Sequence, residues 1–283
     1  MIRLSAFADE ASASLCEQIE ALQASDIPYI ELRGINGKNV SAISEKEAHE
    51  YKKQLDEGGI EVFSIGSPIG KIKLGEGMEE HFGLLRHICR LANIFGTERI
   101  RVFSFYEAYG RDEEVFSALR TMVGIAEEYG VCLYHENEKG IWGDTAERVM
   151  KIKENVEGLR FVYDPANFIE CGEAPEVTLP LLFDSISYFH IKDALLDERC
   201  VVPAGYGDGR IAELIDRIGD RDITLSLEPH LMVFQGYTEL DSTKMQDRFV
   251  YSTNAEAFRA AADALKGLLI AAGYKKCDGG YMP

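Results

Sequence analysis

The sequence predicts a single (β/α)8 barrel, on three observations. Short β-rich apolar runs alternate with longer amphipathic runs from one end of the chain to the other, eight strand-like runs can be placed, and no glycine-rich turn follows the first of them. Alternation of this kind calls for a parallel sheet covered by helices. Eight units close a barrel, and 283 residues is an ordinary length for one. An open doubly wound sheet would carry a phosphate fingerprint after its first strand; that position here reads ADEASASL, without a glycine.

The expected strands are IRLSAF (2–7), YIEL (29–32), IEVFSI (60–65), RIRVF (99–103), VCLYH (131–135), LRFVYD (159–164), SISYFH (185–190) and ITLSLE (223–228). Between them, amphipathic periodicity predicts helices over 44–59, 79–96, 113–130 and 144–156. Several of these runs end on glycine, which accepts the left-handed backbone of a C-terminal cap. No linker or low-complexity tract divides the chain, so one domain spanning 1–283 is expected. The connection 229–252 is unusually long; such segments commonly serve as lids or as interfaces, here with a second copy of the chain.

Composition narrows the partners. With 46% apolar and 28% charged residues, the chain reads as globular. A formal net charge of −18 opposes nucleic-acid phosphates and anionic membrane surfaces. No apolar run approaches the length of a membrane span, and the N-terminus lacks the apolar stretch of a signal peptide. The six cysteines are scattered without CxxC spacing, as expected for reduced thiols in a cytoplasmic protein. A small-molecule partner is what remains.

Enzyme sites in this fold sit at the C-terminal ends of the strands. Strand five ends on Glu136, strand six on Asp164, strand seven on His190 and strand eight on Glu228. Neighbouring strands are roughly 5 Å apart, so the four heads can converge at one rim. Taken singly, Asp164 is a cap or turn residue, His190 a core histidine, and the glutamates rim charges. Taken together, three acids would repel one another unless a cation compensates. Oxygen ligands with one imidazole suit Mn2+ or Mg2+, with Co2+ and Zn2+ as further candidates.

Other positions share that rim. Lys192 has the parity of His190, so it faces the barrel mouth, where it could hold a substrate oxygen or a phosphate. Glu31 and Arg33, at the end of strand two, are expected to touch substrate. Arg101 and the loop 64–71 lie on the same rim, and His135 has the parity of a structural residue. The glycines of PAGYGDGR (203–210) would let backbone approach a ligand, but as a phosphate cradle the motif is weak, and a plain loop ahead of a helix is the preferred reading.

The segments HENEKG, YDPANF, YFHIKD, PAGYGDG and LEPH, with IELRG in strand two, resemble the xylose isomerase-like TIM-barrel family of sugar and sugar-phosphate isomerases and epimerases. The resemblance runs over nearly the whole chain. It implies that Glu136, Asp164, His190 and Glu228 are the metal ligands, and that Glu136 and Glu228 double as the acid/base pair. The implied chemistry is proton transfer next to the carbonyl of a sugar or sugar phosphate, through a metal-stabilised cis-enediolate. A metal-dependent dehydratase of an inosose-type keto-polyol and a non-catalytic sugar-binding barrel are the alternatives. Arg199 loosely matches an arginine that touches substrate in the epimerase branch.

Two departures stand out. The epimerases carry a histidine where this chain has Asn167, here assigned to the same substrate-facing place, and a glutamate where it has Trp142. Both differences argue against a free ketohexose and leave the metal set intact. The DNA-repair endonucleases of the superfamily need further histidines on early strands, whereas strands two to four here end in Glu31, Ile65 and Phe103.

Overall fold

A computed structural model describes residues 1–233 and 249–283, together with the backbone of 244–245. Most of the connection expected over 229–252 therefore lies outside the described residues.

Eight parallel strands close on themselves. They are β1 (Ile2–Ala6), β2 (Tyr29–Leu32), β3 (Glu61–Gly66), β4 (Arg99–Val102), β5 (Cys132–Glu136), β6 (Arg160–Tyr163), β7 (Ile186–Ile191) and β8 (Ile223–Leu227). Each pairs with the next, and β8 returns to β1 in register from Ile2↔Ile223 to Ala6↔Leu227. A C-terminal hairpin, Lys275–Cys277 with Gly280–Met282, pairs antiparallel with the start of β1 at Ile2↔Tyr281. Helices α1 (Leu15–Ala24), α2 (Glu45–Glu57), α3 (Met78–Phe95), α4 (Asp112–Glu128) and α5 (Ala146–Asn155) surround the first strands. The circuit continues with α6 (Pro165–Glu170), α7 (Pro175–Leu182), α8 (Ile211–Ile218) and α9 (Asn254–Ala271).

Local chemistry accounts for the helix ends. Ser44 and Glu47 form a reciprocal capping box at the start of α2, whose buried face is Ala48, Tyr51 and Leu55. Helix α3 stops where Gly96 adopts φ 77°, a conformation glycine takes without penalty. The four helices expected from periodicity begin and end within two residues of their predicted bounds.

Strand parity divides the barrel into two environments. Outward residues such as Ile30, Ile100, Leu133, Phe161, Phe189 and Leu225 join the main core against the helices. Inward residues Phe63, Tyr134, Val162 and Tyr188 form a separate cluster, with Phe63 and Tyr188 edge-to-face at 5.1 Å. Tyr134, Val162 and Tyr188 each lie two residues before Glu136, Asp164 and His190. An aromatic plug thus forms the layer directly beneath the polar one.

Candidate metal centre

Glu136 is the last residue of β5, His190 lies near the end of β7, and Asp164 and Glu228 directly follow β6 and β8. One ligand atom from each of the four falls within 4.8 Å of all the others. Asp164 keeps an extended backbone (φ −115°, ψ 112°), as a residue before proline prefers. Its carboxylate has two tasks. Oδ1 accepts the Asn167 amide at 3.0 Å and caps α6, while Oδ2 faces the Lys192 ammonium at 2.9 Å. Asn137 fixes that segment from the β5 side, exchanging 2.8 and 2.9 Å hydrogen bonds with the Asp164 backbone.

His190 Nδ1 is 2.8 Å from Glu136 Oε1 and 3.4 Å from Glu228 Oε2. On its other side Nε2 meets Glu31 Oε2 at 3.2 Å, and Tyr188 Oη donates to Glu31 Oε1 at 2.9 Å. All four residues of the cluster are buried, and Asp164 Oδ2 and Glu228 Oε2 meet only charged neighbours, Lys192 at 2.9 and 3.5 Å and, for Glu228, His190 at 3.4 Å. Burial, with Glu136 and Glu228 nearby, pushes the Asp164 carboxyl up to about 7 against the pull of Lys192. Burial acts the same way on Glu228, but Lys192 and the two histidines His190 and His230 outweigh it and hold that carboxyl well below the usual range. A crowded set of buried oxygens with unused lone pairs and one inward imidazole nitrogen fits a divalent cation.

The structure distributes the other sequence-predicted residues unevenly. Lys192 joins the cluster, 2.9 Å from Asp164 and 3.5 Å from Glu228. Asn167 also joins it, its amide donating to Glu136 Oε1 at 3.2 Å. Arg101 lies against Glu136 at 3.3 Å. Arg33, expected on the substrate, instead donates to Glu228 Oε1 at 2.9 Å and grips Asp9 bidentately at 2.8 and 2.9 Å. Glu31, also expected on the substrate, is fully buried behind His190. Arg199 stands apart: it is exposed and donates to the Glu170 carbonyl at 3.4 Å. His135 is buried against Ser104 Oγ at 2.9 Å, as its parity predicted.

Glu31 therefore acts on the site through His190. A carboxylate on the far nitrogen of a metal-binding histidine fixes its tautomer and orientation. Glu31→Gln is expected to weaken Mn2+ binding about 10- to 100-fold in a chelator competition. Unchanged affinity would show that Glu31 does not orient His190.

Sequence reading missed Asp9, Glu10 and His230. Asp9 and Glu10 lie three and four residues past β1, in the turn Ala8–Glu10, beyond the reach of the strand-end rule used for β5 to β8. Glu10, Glu228 and His230 also cluster, but the Arg33 guanidinium already lies 2.9 Å from Glu228 and 3.3 Å from Glu10.

The glycine loop after β7 is a loop ahead of a helix, as the preferred reading of the sequence had it. Its amides turn inward onto Asp193, whose carboxylate accepts from Ala194, Gly205, Gly207 and Gly209 at 2.8–3.1 Å. A Cβ on Gly207 would fall 2.4 Å from Asp193 Oδ1, which explains the glycine. Asp193→Ala leaves four inward-facing amides without an acceptor and is expected to cost about 3 kcal/mol, read as a lowered urea midpoint. An unchanged midpoint would contradict this account of the loop.

A family model described as xylose isomerase-like TIM barrel matches residues 19–266. The chain belongs to the xylose isomerase-like TIM-barrel family. Among solved structures, this xylose isomerase-like barrel is similar to an L-ribulose 3-epimerase, at TM-score 0.74 and 17% identity over 96% of each chain. It is similar to a probable 3-DHS dehydratase from Bacillus anthracis, at TM-score 0.71 and 17% identity over 94% of this chain and 99% of that one. A xylose isomerase-like barrel from Mycobacterium smegmatis, solved in complex with magnesium, matches at TM-score 0.66 and 14% identity over 95% and 97%. At these identities the likeness is one of fold. No curated protein matches the chain. No described helix is long and apolar enough to cross a membrane.

Proposed function

We propose that the protein is a divalent-metal-dependent isomerase or epimerase of a sugar or sugar derivative, moving a proton at a carbon next to a carbonyl. The observation that carries this reading is the convergence of Glu136 and Glu228, from strands three apart around the barrel, on the same nitrogen of His190. Glu136, Asp164, His190 and Glu228 are the residues that would hold the ion, which supplies Lewis-acid polarisation of a carbonyl and its adjacent hydroxyl.

The two glutamates do the proton work. One carboxylate removes a proton from one face of the carbon, and the other delivers one to the opposite face. Arg33 and Arg101 hold the outer oxygens of Glu228 and Glu136, which keeps both carboxylates aimed at the same point. Phe7 packs edge-on against His190 at 5.2 Å and helps exclude water from that wall.

A dehydratase is the second reading, favoured by Lys192. Its buried ammonium beside Asp164 and Glu228 would offer a hydrogen bond to a departing hydroxyl. The metal-loaded protein, incubated with keto-sugars in D2O and followed by NMR, tests both. Deuterium next to the carbonyl without loss of mass supports the isomerase or epimerase. Loss of water moves the assignment to a lyase, and no exchange with any substrate rejects proton transfer altogether.

A further inference from the structure

We infer that the substrate of this site is an uncharged keto-polyol rather than its phosphate ester. The inference rests on the isomerase or epimerase reading and narrows its substrate class.

Two features that would receive a phosphate are already filled by the protein's own carboxylates. Barrels of this type commonly seat phosphates on backbone amides of the loops after the seventh and eighth strands. The described loop in that position, 203–209 ahead of α8, does form an amide nest. Its occupant is Asp193, 1% exposed, at 2.8 Å from Gly205 N, 3.1 Å from Gly207 N and 2.8 Å from Gly209 N. Those amides point at an internal anion and away from any ligand.

The second feature is charge. Arg33, Lys71, Arg101 and Lys192, the cations at the described rim, each lie within 3.5 Å of a carboxylate: Asp9, Glu138, Glu136 and Asp164 respectively, among others. Around the ion position stand six carboxylates, Asp9, Glu10, Glu31, Glu136, Asp164 and Glu228, against Arg33, Arg101 and Lys192. A phosphate dianion would have to take one of these cations away from its carboxylate partner. Neutral hydroxyls, in contrast, donate to carboxylates without displacing a cation. Asn167, where the epimerases carry histidine, spends its amide on Glu136 Oε1 and the Asn137 carbonyl, and Trp142, where they carry glutamate, is buried against Phe116 with its indole N–H on Asp112.

The test uses the Mn2+-loaded full-length protein with matched pairs: D-fructose and its 6-phosphate, D-xylulose and its 5-phosphate, and a keto-inositol. Deuterium uptake from D2O reports turnover. Broadening of ligand 1H and 31P resonances by bound Mn2+ reports binding without turnover, with His190→Ala as the background. The expected result is broadening by at least one free polyol, with its ester at least about tenfold weaker in both readouts. An ester that binds or exchanges as well as its free partner overturns the inference and leaves the functional reading standing. Binding of free polyols with no exchange keeps the inference and overturns the reading. Failure of every free polyol to bind overturns the inference.

Discussion

Glu136→Gln and Glu228→Gln should each abolish net turnover while leaving different halves of the exchange reaction in place. General acid–base catalysis contributes about 10²- to 10⁴-fold, so net conversion should fall by roughly 10³-fold or more in each variant. Glutamine keeps one oxygen for an ion but cannot take a proton. In an epimerase with one base per face, the surviving glutamate still exchanges the hydrogen on its own side. Glu136→Gln should therefore wash deuterium into one epimer only, and Glu228→Gln into the other. Identical loss of both exchange reactions in both variants, with metal retained, would show that the two carboxylates do not divide the faces. Undiminished turnover in either variant would remove that glutamate from the acid/base pair.

Asp164→Asn and His190→Ala are expected to cost metal more than catalysis as such. Each removes one of the four donors that lie within 4.8 Å of one another, and binding should weaken by more than about 100-fold, above the effect of losing an orienting partner alone. Elemental analysis after dialysis should then find the wild type near one equivalent and both variants far below it. Thermal stability provides a second readout, because an ion that binds only the folded chain raises its Tm by mass action. Added Mn2+ should shift the wild type and leave the variants in place. Full stoichiometry in either variant would remove that residue from the centre.

The barrel was legible because its signals are local and repeated. Apolar runs of period two and helices with defined caps recur in order, and four of the helices lie within two residues of the predicted bounds. The four-residue cluster was legible for a related reason: parity and strand order alone bring Glu136, Asp164, His190 and Glu228 to one rim. The roles of Glu31 and Arg33 were not. Their parity is right, but which neighbour a rim side chain meets depends on distances across the barrel, and β1 supplied Asp9 and Glu10 as the nearer partners of Arg33. The contact of Arg199 was not legible either, since a loop position carries no parity, and its side chain turns to the Glu170 carbonyl. Asp193 shows what the motif alone leaves open. Glycines that admit a ligand and glycines that wrap an internal carboxylate look alike in sequence, and only the position of the carboxylate separates them.

The central claim is that Glu136, Asp164, His190 and Glu228 hold a divalent ion. Diffraction from Mn2+-loaded crystals, with anomalous data at the manganese edge, tests it directly. The account predicts one peak bonded at about 2 Å to an oxygen of each carboxylate and to His190 Nδ1, with Nε2 still turned to Glu31. A peak among Glu10, Glu228 and His230, or none at full Mn2+ loading, would contradict it.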